Sequence, residues 1–100
     1  MNARTTALSA LIAIRRQNAW ADGALKEYIA RDRLSRRDAA LAARLVYGVV
    51  QNRLLLDFEL AQVVSSPLAK LQPVVLDILR LGAYQILFLD KIPVSAAVNE

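Results

Sequence analysis

Leu71-Gln-Pro-Val-Val-Leu-Asp-Ile-Leu-Arg-Leu-Gly-Ala-Tyr-Gln-Ile-Leu-Phe-Leu-Asp-Lys-Ile-Pro-Val-Ser-Ala-Ala-Val-Asn-Glu100 is the stretch whose reading decides the fold. Pro73 stands where a helix begins, since its missing amide is lost at no cost in a first turn. From there the apolar residues recur at helical spacing and predict one long amphipathic helix with a core stripe of Leu76, Leu79, Ala83, Ile86 and Leu87. Asp90-Lys-Ile-Pro93 breaks that pattern, and a further helix starts at Pro93 with only its first turns before Glu100. An unfinished helix makes these residues the expected front of something larger.

Working back toward the N-terminus, Ser65-Ser-Pro-Leu-Ala-Lys70 reads as a loop. Leu54 to Val64 is again helical, either continuous with the preceding helix or broken near Asn52-Arg53. That preceding helix opens at Ser35-Arg-Arg-Asp38, a capping box in which the serine hydroxyl accepts from the Asp38 amide. It runs to about Asn52, with Leu41, Leu45 and Val49 on its buried face and Gly48 permitting a close crossing. A shorter helix from about Gly23 to Ala30 buries Leu25 and Ile29, and Arg31 to Ser35 connects it onward. The first helix spans about Arg4 to Arg16, with Leu8, Leu11 and Ile12 on one stripe. Asn18 to Gly23 is a turn that Trp20 is expected to anchor. No strand pattern or repeat competes, so the fold class is all-α, an antiparallel helical bundle with short connections.

Composition agrees. Alanine and leucine supply a third of the 100 residues, while glycine and proline are three each. The chain has no Cys and no His, which removes disulfides, thiol nucleophiles, Cys/His zinc sites and imidazole acid–base chemistry from it. Ala7 to Ile14 imitates the apolar core of a signal peptide and Ala19-Trp-Ala21 its cleavage site. Arg15-Arg16 between them is wrong for one. The run from Val74 to Leu89 is interrupted by Asp77, Arg80 and Gln85 and is too short to span a bilayer comfortably. The expectation is a soluble, cytoplasmic chain with no membrane partner.

Enzymatic constellations are thin. The acidic residues stand at helix starts, at turns or on faces expected to be exposed, where capping and dipole roles account for most of them. No glycine-rich loop is present that would hold a nucleotide, so no cofactor is expected in this chain. The basic residues carry more information. Net charge is +4, and ten of the thirteen basic residues are arginine, whose planar fork suits phosphate. Arg4, Arg15 and Arg16 flank the first helix. Arg31, Arg33, Arg36 and Arg37 crowd the entry to the third, where side chains and free helix amides together can meet a phosphate backbone. Arg37, Arg44, Tyr47 and Gln51 share one stripe of that helix, and Tyr47 offers a ring for an unpaired base. The competing reading pairs these arginines with Asp32 and Asp38. Arg80 is expected to pair with Asp77 at i,i+3 spacing or to extend its head to water, and Tyr84 to be a core or rim aromatic.

Several strings carry a family likeness: Arg44-Leu-Val-Tyr-Gly-Val-Val, then Gln51-Asn-Arg-Leu-Leu-Leu-Asp57, then Ile78-Leu-Arg-Leu-Gly-Ala-Tyr-Gln85 and Leu89-Asp-Lys-Ile-Pro93. With Arg4-Thr-Thr-Ala-Leu-Ser-Ala-Leu and the Ser35 helix start, they resemble the NusB-like domain at the N-terminus of Fmu/Sun-type bacterial ribosomal RNA (cytosine-5) methyltransferases. The likeness covers nearly the whole chain. The equivalent helix of a free-standing NusB antitermination factor reads closer to Ala-Ala-Tyr-Glu-Leu, so Gly82 and Gln85 favour the methyltransferase.

The resemblance implies a NusB-like RNA-binding domain over residues 1–100, incomplete at its C-terminus because the family bundle continues for further helices. It implies ribosomal RNA as partner and a catalytic domain that uses S-adenosylmethionine and cysteine chemistry. That part lies outside these residues, so the chain alone is expected to be inactive. The alternative is a NusB-type antitermination factor or a helical protein-docking domain. A bundle cut short would also expose part of the Leu79/Ala83/Ile86 stripe and favour docking onto its own catalytic domain or dimerisation.

Overall fold

A computed structural model of the chain describes residues 2–89. They form five α-helices: α1 (Ala3–Gln17), α2 (Ala21–Asp32), α3 (Arg36–Gln51), α4 (Arg53–Val63) and α5 (Pro73–Tyr84). A 3₁₀ turn at Leu68–Lys70 lies between α4 and α5, and α5 runs on into a wider π-helical turn at Gln85–Leu89. No strand occurs among the described residues. The all-α bundle is as expected. The break at Asp90–Pro93 and the helix after it lie outside the described residues.

Local chemistry explains most boundaries. Asn2 caps α1 through its side chain, accepting from the Thr5 amide at 2.9 Å while the Thr5 hydroxyl lies 3.2 Å from the Asn2 amide. Ser35 caps α3 as its sequence requires, its Oγ 3.1 Å from the Asp38 amide. Asn52 settles the α3–α4 question with a break, and its side-chain amide donates to the Gly48 carbonyl at 2.8 Å. Among the described residues two take left-handed backbone, Asn18 after α1 (φ 53°) and Arg33 after α2 (φ 51°). Asparagine suits that conformation, whereas arginine holds it at a cost.

Polar contacts fix how the helices run. Thr6 to Asp32 and Arg31 to Ser9 set α2 antiparallel to α1. The Tyr47 hydroxyl donates to Asp22, setting α3 antiparallel to α2. Arg4 to Gln85 (2.6 Å) and Arg15 to Asp77 (2.8 Å) lay the α5 segment antiparallel to α1. The core is centred on Leu45, Val46 and Leu56, all fully buried, with α1 packed on both α2 and α3.

Four expectations about packing need correcting. On α1 the buried face is Ala3, Ala7, Ala10, Leu11 and Ala13 with Thr6, while Leu8 and Ile12 are only partly covered. Small residues face inward because α1 is wedged against two neighbours at once. On α5 the buried residues are Asp77, Arg80, Leu81 and Tyr84, whereas Ile86 (69% exposed) and Leu87 (44%) face outward. The face is turned by about one residue, roughly 100°, because Asp77 and Arg80 both find charge partners inside. Arg80 does not pair with Asp77. It makes a two-pronged contact with Asp57 of α4, at 2.7 and 3.0 Å. Finally, Trp20 anchors nothing in the core: it precedes α2 with 87% of its surface exposed.

Candidate nucleic-acid interface

The antiparallel arrangement brings the start of α1, the end of α2 and the start of α3 to one end of the bundle. Four sequence-predicted arginines arrive there together: Arg31, Arg33, Arg36 and Arg37. Arg31 is tied down. Its Nε and Nη2 contact Asp32 at 2.8 and 3.1 Å, Nη2 also reaches Ser9 Oγ at 3.2 Å, and its guanidinium lies 4.5 Å above the Tyr28 ring. Asp32 also accepts from the Thr6 hydroxyl at 2.6 Å. The hydrogen bond from Arg31, followed by that from Thr6, holds the Asp32 carboxyl below its ordinary value of 3.8, and the same contact raises Arg31.

Asp32 is thus used up by Arg31, and Asp38 makes no ion pair among the described residues. Arg33, Arg36 and Arg37 are exposed and without a carboxylate partner there. The competing reading, local neutralisation, therefore holds for one arginine of the four. What remains is three guanidiniums around the first turn of α3, whose free amides and dipole add positive potential. Arg33 sits beside them in left-handed backbone closed by the contacts of the Arg33 and Leu34 amides with the Ala30 and Ile29 carbonyls, each 3.2 Å.

The other predicted residues scatter. Arg4 is exposed near the same end, at the start of α1, with its Nε on Gln85. Arg44 lies further along α3 and is exposed. Tyr47 is half-buried, and its hydroxyl is occupied by Asp22, so its ring is not a free platform. Arg15 and Arg16 stand about 16 Å from Arg4 along α1, at the opposite end. There Arg15 turns inward to Asp77, while Arg16 stays exposed. Sequence reasoning thus grouped residues that the fold separates into two ends. It also missed the inward roles of Asp57, Asp77 and Arg80, for which the only sign was charge inside an apolar helix.

The described residues do not fit S-adenosylmethionine. No strand-to-helix glycine turn exists, Gly48 is filled by the Tyr84 ring, and Gly23 and Gly82 have nothing near them to form a cradle. No group of three or more metal-ligating residues occurs among them, and no described helix is long and apolar enough to cross a membrane.

Comparison with known proteins identifies the family. The NusB family model matches residues 1–100. A probable ribosomal RNA small subunit methyltransferase B of Bacillus subtilis is 39% identical over 97 residues, covering 97% of this chain but 22% of that protein. Its counterpart in Synechocystis is 36% identical over 99 residues, again 22% of its length. The transcription antitermination protein NusB of Bacillus licheniformis is 42% identical over 62 residues, 61% of this chain and 48% of that protein. The chain therefore spans about a fifth of the length of its methyltransferase relatives. No solved structure gives a significant match. By the family match along its whole length, supported by relatives from both branches, the chain belongs to the NusB family.

Proposed function

We propose that these residues form the RNA-binding, N-terminal domain of a ribosomal RNA (cytosine-5) methyltransferase, and that catalysis and S-adenosylmethionine binding belong to a part of the protein beyond them. The observation that carries this reading is the exposed trio Arg33, Arg36 and Arg37 around the first turn of α3. Three guanidiniums at a helix N-terminus, without a carboxylate partner among the described residues, form an electrostatic footprint for phosphate. The extent of the methyltransferase matches, 97% and 99% of the chain against 61% for the antitermination protein, supports this branch of the family. Arg4 and Arg44 extend the footprint along α1 and α3. Arg31 supports it from behind, through Asp32, and Tyr47 holds α2 to α3. Arg15 has its inward charge partner, and Arg16 belongs to the far end, so both lie outside the footprint.

In this reading the domain lies in the cytoplasm, where ribosomes are assembled, and holds ribosomal RNA for a catalytic domain that packs against it. Leu54, Phe58, Val63 and Ile86, each more than half exposed, supply apolar surface for that packing or for dimerisation.

The test is binding of the folded, monodisperse chain to a small-subunit rRNA stem-loop across a salt series. The expected result is an affinity that falls with salt by about 0.7–0.9 logarithmic slope units for each phosphate neutralised. Absence of binding at low salt by a folded chain would move recognition elsewhere in the protein and leave a docking domain.

A further inference from the structure

At the end of the bundle away from the arginine trio, α1, α3, α4 and α5 leave a cleft of about 340 Å³. Leu11, Ile14, Val49 and Val50 give it aliphatic walls, and Arg15, Asp77 and Arg80 line its inner part. Asn18 and Arg53, both exposed, stand at its mouth.

The charges in it are not balanced. Nε and Nη2 of Arg15 both lie 2.8 Å from one oxygen, Asp77 Oδ2. The two nitrogens share that one oxygen, and Nη2, which carries a second N–H, is buried with no acceptor of its own among the described residues. Arg80 spends Nε and Nη2 on Asp57. Among the described residues, three guanidiniums (Arg15, Arg53 and Arg80) therefore meet two carboxylates (Asp57 and Asp77), an excess of one positive charge. A buried donor without an acceptor is costly, and an added acceptor would relieve it.

We propose that this cleft receives one acidic side chain, a glutamate or aspartate, from a protein partner. The aliphatic walls suit the methylene stem of such a residue, and the spare Arg15 donor with Arg53 suits its head. No aromatic residue lines the cleft, so an unpaired base finds no ring to stack on. Around the same end Trp20 and Leu54 are each 87% exposed. Tryptophan and arginine are enriched at protein-binding surfaces, and Trp20 and Arg53 both stand exposed around this recess. The site is independent of the RNA reading, since it shares neither residues nor surface with the arginine trio.

The experiment is an NMR titration of the arginine-labelled 100-residue chain, following side-chain Nε–H signals. The probes are a capped Leu-Glu-Leu peptide, its Leu-Gln-Leu counterpart and oligouridylate. The glutamate peptide is expected to shift Arg15 and Arg53 saturably while Arg36 and Arg37 stay still, with little response to the glutamine peptide. Arg53→Gln, at the exposed mouth, should weaken that binding about three- to tenfold, the range of a typical net hydrogen bond. Arg15→Lys, which keeps the charge but removes the spare nitrogen, should weaken it too. Equal shifts from the glutamine peptide would overturn the charge recognition. Stronger shifts of Arg15 and Arg53 with oligouridylate than with the glutamate peptide would assign the cleft to RNA instead, and no shift with any probe would dispose of the site.

Discussion

Gly48 of α3 faces the ring of Tyr84 of α5 so closely that a Cβ on Gly48 would overlap the ring atoms. Tyr84 is itself buried and stacks on Phe88, with centroids 5.2 Å apart, so the ring has little freedom to retreat. The crossing of α3 and α5 depends on that missing methyl group. Gly48→Ala should therefore destabilise the fold by about 1–3 kcal/mol, although alanine is the better helix former by about 1 kcal/mol. Urea denaturation of the single variant and of Gly48→Ala combined with Tyr84→Leu measures it. The second change should recover part of the loss, and a stabilised single variant would show that the crossing is loose.

The Arg80–Asp57 pair is uneven, because the arginine side chain is 8% exposed and the aspartate 27%. Removing the aspartate strands a buried cation, whereas removing the arginine leaves an anion that reaches water. Asp57→Ala should thus cost more than Arg80→Met, about 2–4 kcal/mol against less than about 2. Equal losses in denaturant titrations would contradict this.

Asp32 makes a prediction for acid. Its carboxyl is lowered in the folded chain by Arg31 and then by Thr6, so its contribution is fully present above the ordinary value of 3.8. The contribution disappears as pH falls below 3.8 and through the lowered folded value. Asp32→Asn should be less stable than the parent at pH 7, and the gap between them should close in acid. A gap that is constant from pH 7 to pH 2 would mean that the pairing contributes nothing.

Arg33 occupies a left-handed position where glycine is the usual residue. Relief of strain and the greater freedom of the unfolded glycine chain oppose each other, so Arg33→Gly should leave the fold unchanged or firmer by up to about 1 kcal/mol. Its affinity for the rRNA stem-loop should nevertheless fall. A variant that loses stability and keeps its affinity would reverse both assignments.

Arg36→Gln with Arg37→Gln tests the surface from the other side. Both residues are exposed, so thermal stability should change little. The salt slope of RNA binding should drop by about 0.7 for each single-strand phosphate that is no longer neutralised. Arg16→Gln, at the far end of α1, should leave the slope as it was.

How far the sequence can be read depends on what kind of information each residue carries. Two helix starts were legible because capping is local: Ser35 and Pro73 act on neighbours a few positions away, whereas the break at Asn52 stood open between two readings. The close approach at Gly48 was legible too, as a glycine inside an apolar helical stripe. The face that α5 buries was not, because periodicity counts apolar residues and places Asp77 and Arg80 outside. Their inward turn depends on Arg15 and Asp57, which are 62 and 23 residues away. The arginine cluster could be found from composition, but its members could be sorted only once the fold had joined Arg31 to Asp32 and sent Arg15 to the far end. Trp20 misled because size was taken for burial.

The alanine face of α1 has one more consequence. Ala3, Ala7, Ala10 and Ala13 follow one another at steps of four, three and three, so a shift of α1 by one turn would replace methyl with methyl. Such a face holds α1 close without telling it where to stop. Thr6 against Asp32, Ser9 against Arg31, and Arg15 against Asp77 act as detents on an otherwise smooth rail. Shape sets how near α1 lies, and charge sets its register.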